Sequence, residues 1–344
     1  MDAQPEHLKP TLAILQEGRA LTSAEAGKAF EIILNGEATT AQIGAFLGML
    51  RVRGETVDEI AAGVSVMRAN AAKVKAPTHV LDTCGTGGDG SGSYNISTAV
   101  ALVAAACGAH VAKHGNKALS SKSGSAEVLE ALGVKLALSP DALAQCINDV
   151  GIGFLFAPNH HAAMRHVGPS RAELGFRTIF NLLGPLSKPA GANRQLLGVF
   201  DKKWVEPLAH VLKKLGSERA WVVHGSDGMD ELTTTGPSTV AELRKGEVRL
   251  FEVTPEDAGL ARAKPEDLAG GTPQENAAAL TDLLAGAEGA YRDIVLLNTA
   301  AALMVANKAE NLKEGAEMAA LAIDDGGARA VLANLVTTTQ KLAE

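Results

Sequence analysis

Asp82-Thr-Cys-Gly-Thr-Gly-Gly-Asp-Gly-Ser-Gly-Ser-Tyr-Asn-Ile-Ser-Thr98 and, after an Ala- and Val-rich run, Lys113-His-Gly-Asn-Lys-Ala-Leu-Ser-Ser-Lys-Ser-Gly-Ser-Ala-Glu127 decide how the chain reads. Gly85, Gly87, Gly88, Gly90 and Gly92 stand between a short apolar run ending near Leu81 and a helix opening around Ser97. Without a Cβ in the way, backbone N–H groups reach an oxygen-rich ligand, and the unpaired amides of the helix N-terminus add donors and partial positive charge. Asn95, Ser97 and Thr98 supply side-chain donors at the same place. On the loop alone, an ordinary turn and an anion site are evenly matched. The P-loop spacing and its Lys are missing, and no acidic residue ends the next strand as the dinucleotide fingerprint requires. The second stretch favours phosphate: Lys113, Lys117 and Lys122 stand with Ser120, Ser121, Ser123 and Ser125 and again lead into a helix, with His114 and Asn116 among them.

Outward from this pair, the rhythm is strand and helix in alternation. Val80–Asp82, His110–Lys113, Gly153–Ala157, Leu196–Phe200 and Ala220–His224 read as short strands, and Ser97–Ala106, Ser125–Leu132, Ala142–Val150 and Lys203–Leu215 as helices between them. That order predicts an α/β fold: a large domain with a mainly parallel central sheet flanked by helices, and ligand loops at the carboxyl ends of the strands. Thr233–Thr235, Thr239–Leu243 and Val248–Val253 read as further strands, Glu252–Thr272 as a surface loop, and the last seventy residues mostly as Ala-rich helix.

Residues 1–76 carry no strand signal. Thr22 with Glu25, Thr39 with Gln42 and Thr56 with Glu59 form three capping-box patterns before apolar residues at helical spacing, and Gly36 and Gly54 are placed to stop two of the helices. This predicts a small all-helical domain over 1–76 beside a large domain over 77–344. Ser170 with Glu173 predicts a helix over Arg171–Leu183, ended by Gly184 and Pro185, and this insertion at about 169–190 has the length to return to the N-terminal helices.

Composition narrows the function. Net charge is −7 and aromatics are only 3%, which leaves neither the basic face nor the stacking platforms of a general nucleic-acid binder. Cys84, Cys107 and Cys146 form no C-x-x-C pattern, which suits a reducing cytoplasm and leaves Cys84 as a packed small residue. The longest apolar run, Ala99–Cys107, is too short to span a bilayer, and no signal peptide is evident.

Two further loops carry chemistry. Ala157-Pro-Asn-His-His-Ala-Ala-Met-Arg-His-Val-Gly-Pro-Ser-Arg171 lacks a His-Glu-x-x-His zinc signature, but Arg171 at a helix start calls for an anion, either a substrate carboxylate or a surface partner such as Glu173. His224-Gly-Ser-Asp-Gly-Met-Asp-Glu231 places three carboxylates after a strand, a set that can hold a hard divalent cation with water and phosphate oxygens. Asn181-Leu-Leu-Gly-Pro-Leu186 reads as helix termination.

Asp82–Asp89, Asn95–Thr98, Lys113–Asn116, Ser123–Ser125, Gly168–Arg171 and Asp227–Glu231, in this order, resemble the motifs of the anthranilate phosphoribosyltransferase family. The resemblance implies transfer of a phosphoribosyl group from phosphoribosyl pyrophosphate to the amine of anthranilate, with Mg2+, in a cytoplasmic homodimer of a small helical and a large α/β domain, with no nucleic-acid or membrane partner. Carried over by position, Gly85, Gly88, Asp89, Ser93, Asn95, Ser97, Thr98, Lys113, His114, Gly115, Asn116, Lys117, Ala118, Leu119, Ser120, Ser121 and Ser125 contact the donor. Gly85, Asn116 and Arg171 contact anthranilate, and Ser97, Asp230 and Glu231 bind magnesium. Lys117 stands where the family commonly has Arg, and loses the planar fork. The alternatives are a pyrimidine-nucleoside phosphorylase and a non-catalytic nucleic-acid-binding relative; the carboxylate loop, Arg171 and the negative net charge weigh against them.

Overall fold

All three predicted capping boxes close, with each Thr hydroxyl accepting from the backbone N–H three residues on and the Glu or Gln side chain reaching back. The computed structural model describes residues 8–118 and 122–343. After α1 (Lys9–Gln16), the capped helices are α2 (Ser23–Leu34), α3 (Thr40–Arg53) and α4 (Val57–Asn70). Gly36 (φ 78°) follows α2 and Gly54 (φ 92°) caps α3, both in backbone conformations that favour glycine.

From Leu81 the chain alternates as expected: β1 (Leu81–Asp82), α5 (Ile96–Ala106), β2 (Val111–Gly115), α6 (Ser125–Ala131), α7 (Pro140–Asp149), β3 (Ile152–Phe156), α8 (Ala157–His160), α9 (Gly168–Leu174), α10 (Phe180–Leu186), β4 (Arg194–Gly198), α11 (Val205–Lys214) and β5 (Arg219–Gly225). A hairpin of β6 (Ser238–Arg244) and β7 (Glu247–Val253) follows, then α12 (Pro273–Leu284), α13 (Ala290–Val305), α14 (Leu312–Asp324) and α15 (Gly327–Leu342). The sheet has the order β3-β2-β1-β4-β5-β6-β7, parallel from β3 to β5 and antiparallel beyond. The chain steps one way from β1 to β2 and β3 and then crosses back to the other side of β1 as β4, so the loop after β1 opens at the switch point, where such sheets form a crevice.

Strand alternation sorts side chains onto two cores. Leu196, Trp221, Val223 and Val240 pack with α5, α12 and α13, whereas Leu197, Ala220, Val222 and Ala241 pack with α11 and the N-terminal helices. With so few aromatics, close approach replaces bulk. A methyl on Gly63 would lie 2.8 Å from Phe30 and Leu183, and one on Gly315 would lie 2.7 Å from Ala300 Cα, so glycines let α4 and α14 settle against their neighbours. Phe30 meets Phe46 of α3 and Phe180 of α10 edge-on, with centroids 5.4 and 5.8 Å apart, which ties α10 to the N-terminal helices. No described helix is long and apolar enough to cross a membrane.

Three local expectations are corrected. The helix over 171–183 is two helices, because Gly175 turns left-handed (φ 64°) after α9; Ser170 lies buried inside α9 instead of capping it, and α10 continues through Gly184 and Pro185. Thr233–Thr235 is not a strand, since the hydroxyls of Thr233 and Thr235 bond Asp227 Oδ2 at 2.5 and 2.8 Å. The loop 252–272 is not simply surface: it contains two 3-10 turns, and Leu268 is fully buried.

Glu59 is fully buried, accepts from Leu21 N (2.8 Å) and Thr56 N (2.9 Å), and pairs with Arg53. Glu59→Ala strands two amides and removes the carboxylate from a guanidinium left with only Arg19 O and Gly54 O, so chemical denaturation is expected to show a loss of about 3–5 kcal/mol; a loss below about 1 kcal/mol would show that water replaces the carboxylate.

Candidate functional site

The glycine loop after β1 is built from left-handed turns. Gly87, Gly88, Gly90 and Gly92 have φ between 63° and 78°, so only glycine fits there without strain. Gly85 is glycine for another reason: a methyl there would lie 2.4 Å from Asp230 Oδ2. Across 143 residues of sequence, Gly87 N donates to that carboxylate at 2.7 Å, and Asp230 N donates back to Asp89 Oδ2 at 3.3 Å. Thr86 N bonds Gly198 O (2.9 Å) and Phe200 N bonds Thr86 Oγ1 (3.0 Å), which hooks the loop to the end of β4. The backbone of Asp230 presses on Gly198 so closely that a methyl there would lie 1.5 Å from the Asp230 carbonyl oxygen.

Glu231 accepts from the Ser97 amide at the start of α5. Burial raises its pKa well above the usual carboxylate range and Asp230 adds to the effect, while Lys113 opposes it. Burial, then Asp89, pushes Asp230 up to about 7. Lys113 is buried, with Nζ 3.0 Å from Ser97 Oγ and 3.3 Å from Thr83 O, and burial lowers its pKa despite the acids around it. Beneath them lies fully buried Asp82, bonded to His114 N (3.1 Å), to the Cys84 thiol (3.2 Å) and to Gln195 Nε2 (3.4 Å). Burial and then Asp82 push the Cys84 thiol well up, so it is a packed group and no nucleophile.

The second loop folds onto the first. Glu127 accepts from both Ala118 N (3.0 Å) and Gly124 N (2.8 Å), closing the loop at its neck, and Asn95 Nδ2 reaches Ser123 O at 3.4 Å. Asn116 and Lys117 are exposed, and Ser125 Oγ lies 3.4 Å from Asn116 O. The cations divide: Lys113 points inward, whereas Lys117 pairs with Glu130 at 3.5 Å. Leu119, Ser120 and Ser121 lie outside the described residues. Ser93, Asn95, Ser97 and Thr98 all sit where the glycine loop enters α5, and Gly88 and Gly115 border the two loops.

The insertion between β3 and β4 contributes His160, His161, Arg171 and Arg177, and His114 joins them from β2. His114 and His161 meet edge-on at 5.3 Å; burial, then neighbouring imidazoles, brings them down to about 3 and about 4, so both are neutral at pH 7. His160 Nδ1 instead bonds Ala72 O. Arg171 is not bonded to the loop cluster or to Glu173. Its Nη2 lies 3.4 Å from Asn181 Oδ1, which also accepts from Thr178 N at 3.0 Å, so Asn181 orients the guanidinium and braces the turn before α10. Arg177, which the sequence reading missed, lies 4.2 Å over the Phe200 ring, and a methyl on Gly88 would come 3.4 Å from its Nη2. Its signal was faint, because Phe200 is distant in sequence. Asp227 of the carboxylate loop leaves the cluster and serves Thr233, Thr235 and Met229 N instead.

The residues fit a hard divalent cation. Burial raises both Asp230 and Glu231 above the ordinary carboxylate range, with Asp89 adding to the first and Asp230 to the second, while Lys113, bonded to the Ser97 hydroxyl, opposes the rise at Glu231. Among the described residues no three His, Cys, Asp or Glu side chains are grouped to hold a metal alone. Such a set suits magnesium, which keeps water and phosphate oxygens in its shell, and does not suit a closed protein cage.

Two sequence profiles cover nearly the whole chain: that of the glycosyl transferase family a/b domain matches residues 77–329, and that of the glycosyl transferase family helical bundle domain matches residues 9–71. The anthranilate phosphoribosyltransferases of Parvibaculum lavamentivorans and Azospirillum brasilense are each 64% identical over 96% of this chain, and 97% and 93% of those chains are covered. The crystal structure of anthranilate phosphoribosyltransferase from Thermus thermophilus superimposes with a TM-score of 0.91 at 45% identity, over 96% of this chain and 99% of that one. The Saccharomyces cerevisiae enzyme in complex with PRPP and Mg gives 0.90 at 29% identity, over 98% and 99%.

Asp230 keeps its proton to about pH 7 in the folded chain but only to about 3.8 when unfolded, so without divalent cations it makes stability fall as pH rises between those values. Neutral His114 and His161 act oppositely up to about pH 6.5, where unfolded imidazoles lose their protons. Comparing Asp230→Asn with the parent reports on this acid together with its effect on Glu231. The variant is expected to gain relative stability of order 2 kcal/mol between pH 4.5 and pH 8 in urea titrations, and a pH-independent difference would refute the assignment.

Proposed function

The chain belongs to the anthranilate phosphoribosyltransferase family, and we propose that the crevice above β1 is where it carries out the family reaction, transfer of phosphoribose from phosphoribosyl pyrophosphate to the amine of anthranilate with release of pyrophosphate. The observation that carries the reading is the joining of three separate motifs: the glycine loop, the Lys113 strand end and the Asp230–Glu231 loop meet through Gly87, Asp89 and Ser97. Neither alternative, the nucleoside phosphorylase or the nucleic-acid binder, finds support in the relatives above.

At the anomeric carbon the C–O bond to pyrophosphate breaks as the C–N bond forms, so positive charge grows on the ribose and negative charge on the leaving group. Catalysis is then positioning plus neutralisation. In this proposal the amides of Gly85–Gly88, the α5 N-terminus and Lys113 hold the donor's phosphates, with Asp89, Ser93, Asn95, Thr98, the 113–121 segment and Ser125 completing its contacts. Asp230, Glu231 and the Ser97 hydroxyl hold Mg2+, which when bound neutralises charge on the pyrophosphate. Gly85 and Asn116 contact anthranilate, and Arg171, oriented by Asn181, pairs with its carboxylate. The aromatic amine is already a free base at neutral pH, so no side chain has to deprotonate it before attack, and the proton it sheds once the C–N bond has formed leaves to the released pyrophosphate or to water. Arg177, stacked on Phe200 beside Gly88, adds a cation on the far side of the glycine loop. On this reading, 1–76 joined by 169–190 form the helical domain and 77–344 the other, with this crevice between them. A cytoplasmic homodimer completes the reading; Val52 on α3 is 90% exposed, an apolar side chain free to meet a second copy.

Steady-state kinetics test the anthranilate assignment. Arg171→Ala is expected to raise KM for anthranilate at least tenfold with KM for the donor within twofold, and unchanged anthranilate kinetics would remove Arg171 from the site. For the metal, Asp230→Asn with Glu231→Gln is expected to abolish both magnesium-dependent turnover and the rise in Tm on adding magnesium; a retained shift would place the cation elsewhere.

A further inference from the structure

The stretch from Leu268 to Asn276 belongs to none of the motifs above, yet it runs along the glycine loop. Gly270 N donates to Gly92 O (2.8 Å), Tyr94 N donates to Leu268 O (3.3 Å), and Ser93 faces Ala269 in an antiparallel bridge. The fit is tight: a methyl on Gly270 would lie 2.5 Å from Ser93 O. This strap delivers Asn276, in the first turn of α12 and only 2% exposed, to the end of the loop.

Both faces of the Asn276 amide are committed. Its Oδ1 accepts from Gly271 N at 2.8 Å, and its Nδ2 donates to Asn95 Oδ1 at 2.8 Å. Asn95 in turn donates through Nδ2 to Ser123 O (3.4 Å) and accepts from Ser123 Oγ (3.2 Å). The polarity of this relay is fixed at both ends by backbone groups, an N–H at Gly271 and a C=O at Ser123, that can act in one sense only. Asn95 therefore does not cap its own helix; its side chain makes no bond to the α5 amides. It ties the mouth of the first anion loop to the second instead, and Asn276 holds it in that orientation.

We propose that Asn276 is a positioning residue for the phosphoribosyl donor: by fixing the amide of Asn95 it sets the glycine loop and the Lys113–Ser125 loop in register, so that both present their donors to one ligand. The inference rests on the reading of those two loops as a single donor site. Its sharpest consequence follows from polarity. Asn276→Asp keeps the shape and the bond from Gly271 N but turns an oxygen on Asn95 Oδ1. Asn95 must then rotate its amide, which sets its oxygen against Ser123 O and breaks the link between the loops. A residue that merely fills space would tolerate that change.

The experiment is steady-state kinetics of the full chain with anthranilate, phosphoribosyl pyrophosphate and magnesium, for the parent, Asn276→Asp, Asn276→Ala, Asn95→Ala and the double variant Asn95→Ala/Asn276→Ala, each checked for folding by circular dichroism. Asn276→Asp is expected to raise KM for the donor at least tenfold while KM for anthranilate stays within twofold. In the Asn95→Ala background, Asn276→Ala is expected to add less than a further twofold, because its effect passes through Asn95. A parent-like donor KM in Asn276→Asp, or full additivity in the double variant, would overturn the inference. If Asn276→Ala fails to fold, the isosteric Asp variant and its donor-to-anthranilate split decide alone. A parent protein that turns over nothing would remove the functional reading and this inference together, whereas an active parent with indifferent variants removes only the inference.

Discussion

Asp230 accepting from Gly87 N is the contact on which the rest of the site depends, because it fastens the loop after β1 to the loop after β5 across the mouth of the sheet. Two glycines exist to allow it: Gly85 leaves room for the carboxylate, and Gly198, where β4 ends, leaves room for the Asp230 backbone. The parallel strands β1, β4 and β5 end side by side, so the loops leaving them compete for the same few ångströms. Removing side chains at the crossing points is what lets three of them converge.

Much of this was legible in the sequence because it is local. A Thr followed three residues later by Glu or Gln caps a helix wherever it sits, and the helices starting after Thr22, Thr39 and Thr56 form as read. Alternation of apolar strand and helix gave the parallel sheet for the same reason. The errors arise where a side chain finds a partner other than its neighbour. Ser170 looked like a cap until packing buried it inside α9, and Thr233 and Thr235 have strand propensity but give their hydroxyls to Asp227. Asp227 looked like a third cation ligand by proximity alone, and those same bonds take it away.

The relay through Asn276 was beyond reach of any local rule, since Asn95 and Asn276 are 181 positions apart and neither residue type announces its partner. The same holds for Asn181 under Arg171 and for Phe200 under Arg177. Motif residues mark where a ligand is met; the residues that orient them are ordinary amides and rings, whose meaning comes only from the tertiary neighbour. That asymmetry explains why the motif loops could be picked out in the sequence and their supports could not.

The electrostatics of the crevice follow from the same architecture. Donors suited to phosphate oxygens are present, yet the protein uses two of them itself: Gly87 N serves Asp230 and the Ser97 amide serves Glu231. These carboxylates stand where a ligand's oxygens would otherwise satisfy the loop, which keeps the glycine-rich backbone ordered and its amides satisfied. Burial, with Asp89 acting on Asp230 and Asp230 on Glu231, draws both of these acids toward their neutral forms. A ligand carrying both phosphate oxygens and a divalent cation would relieve both conditions at once, since a cation favours ionised acids and phosphates can pair with the amides they release. Preorganisation here thus means a loop held ready by internal carboxyl groups, whose buried charge a donor carrying phosphates and a cation would offset.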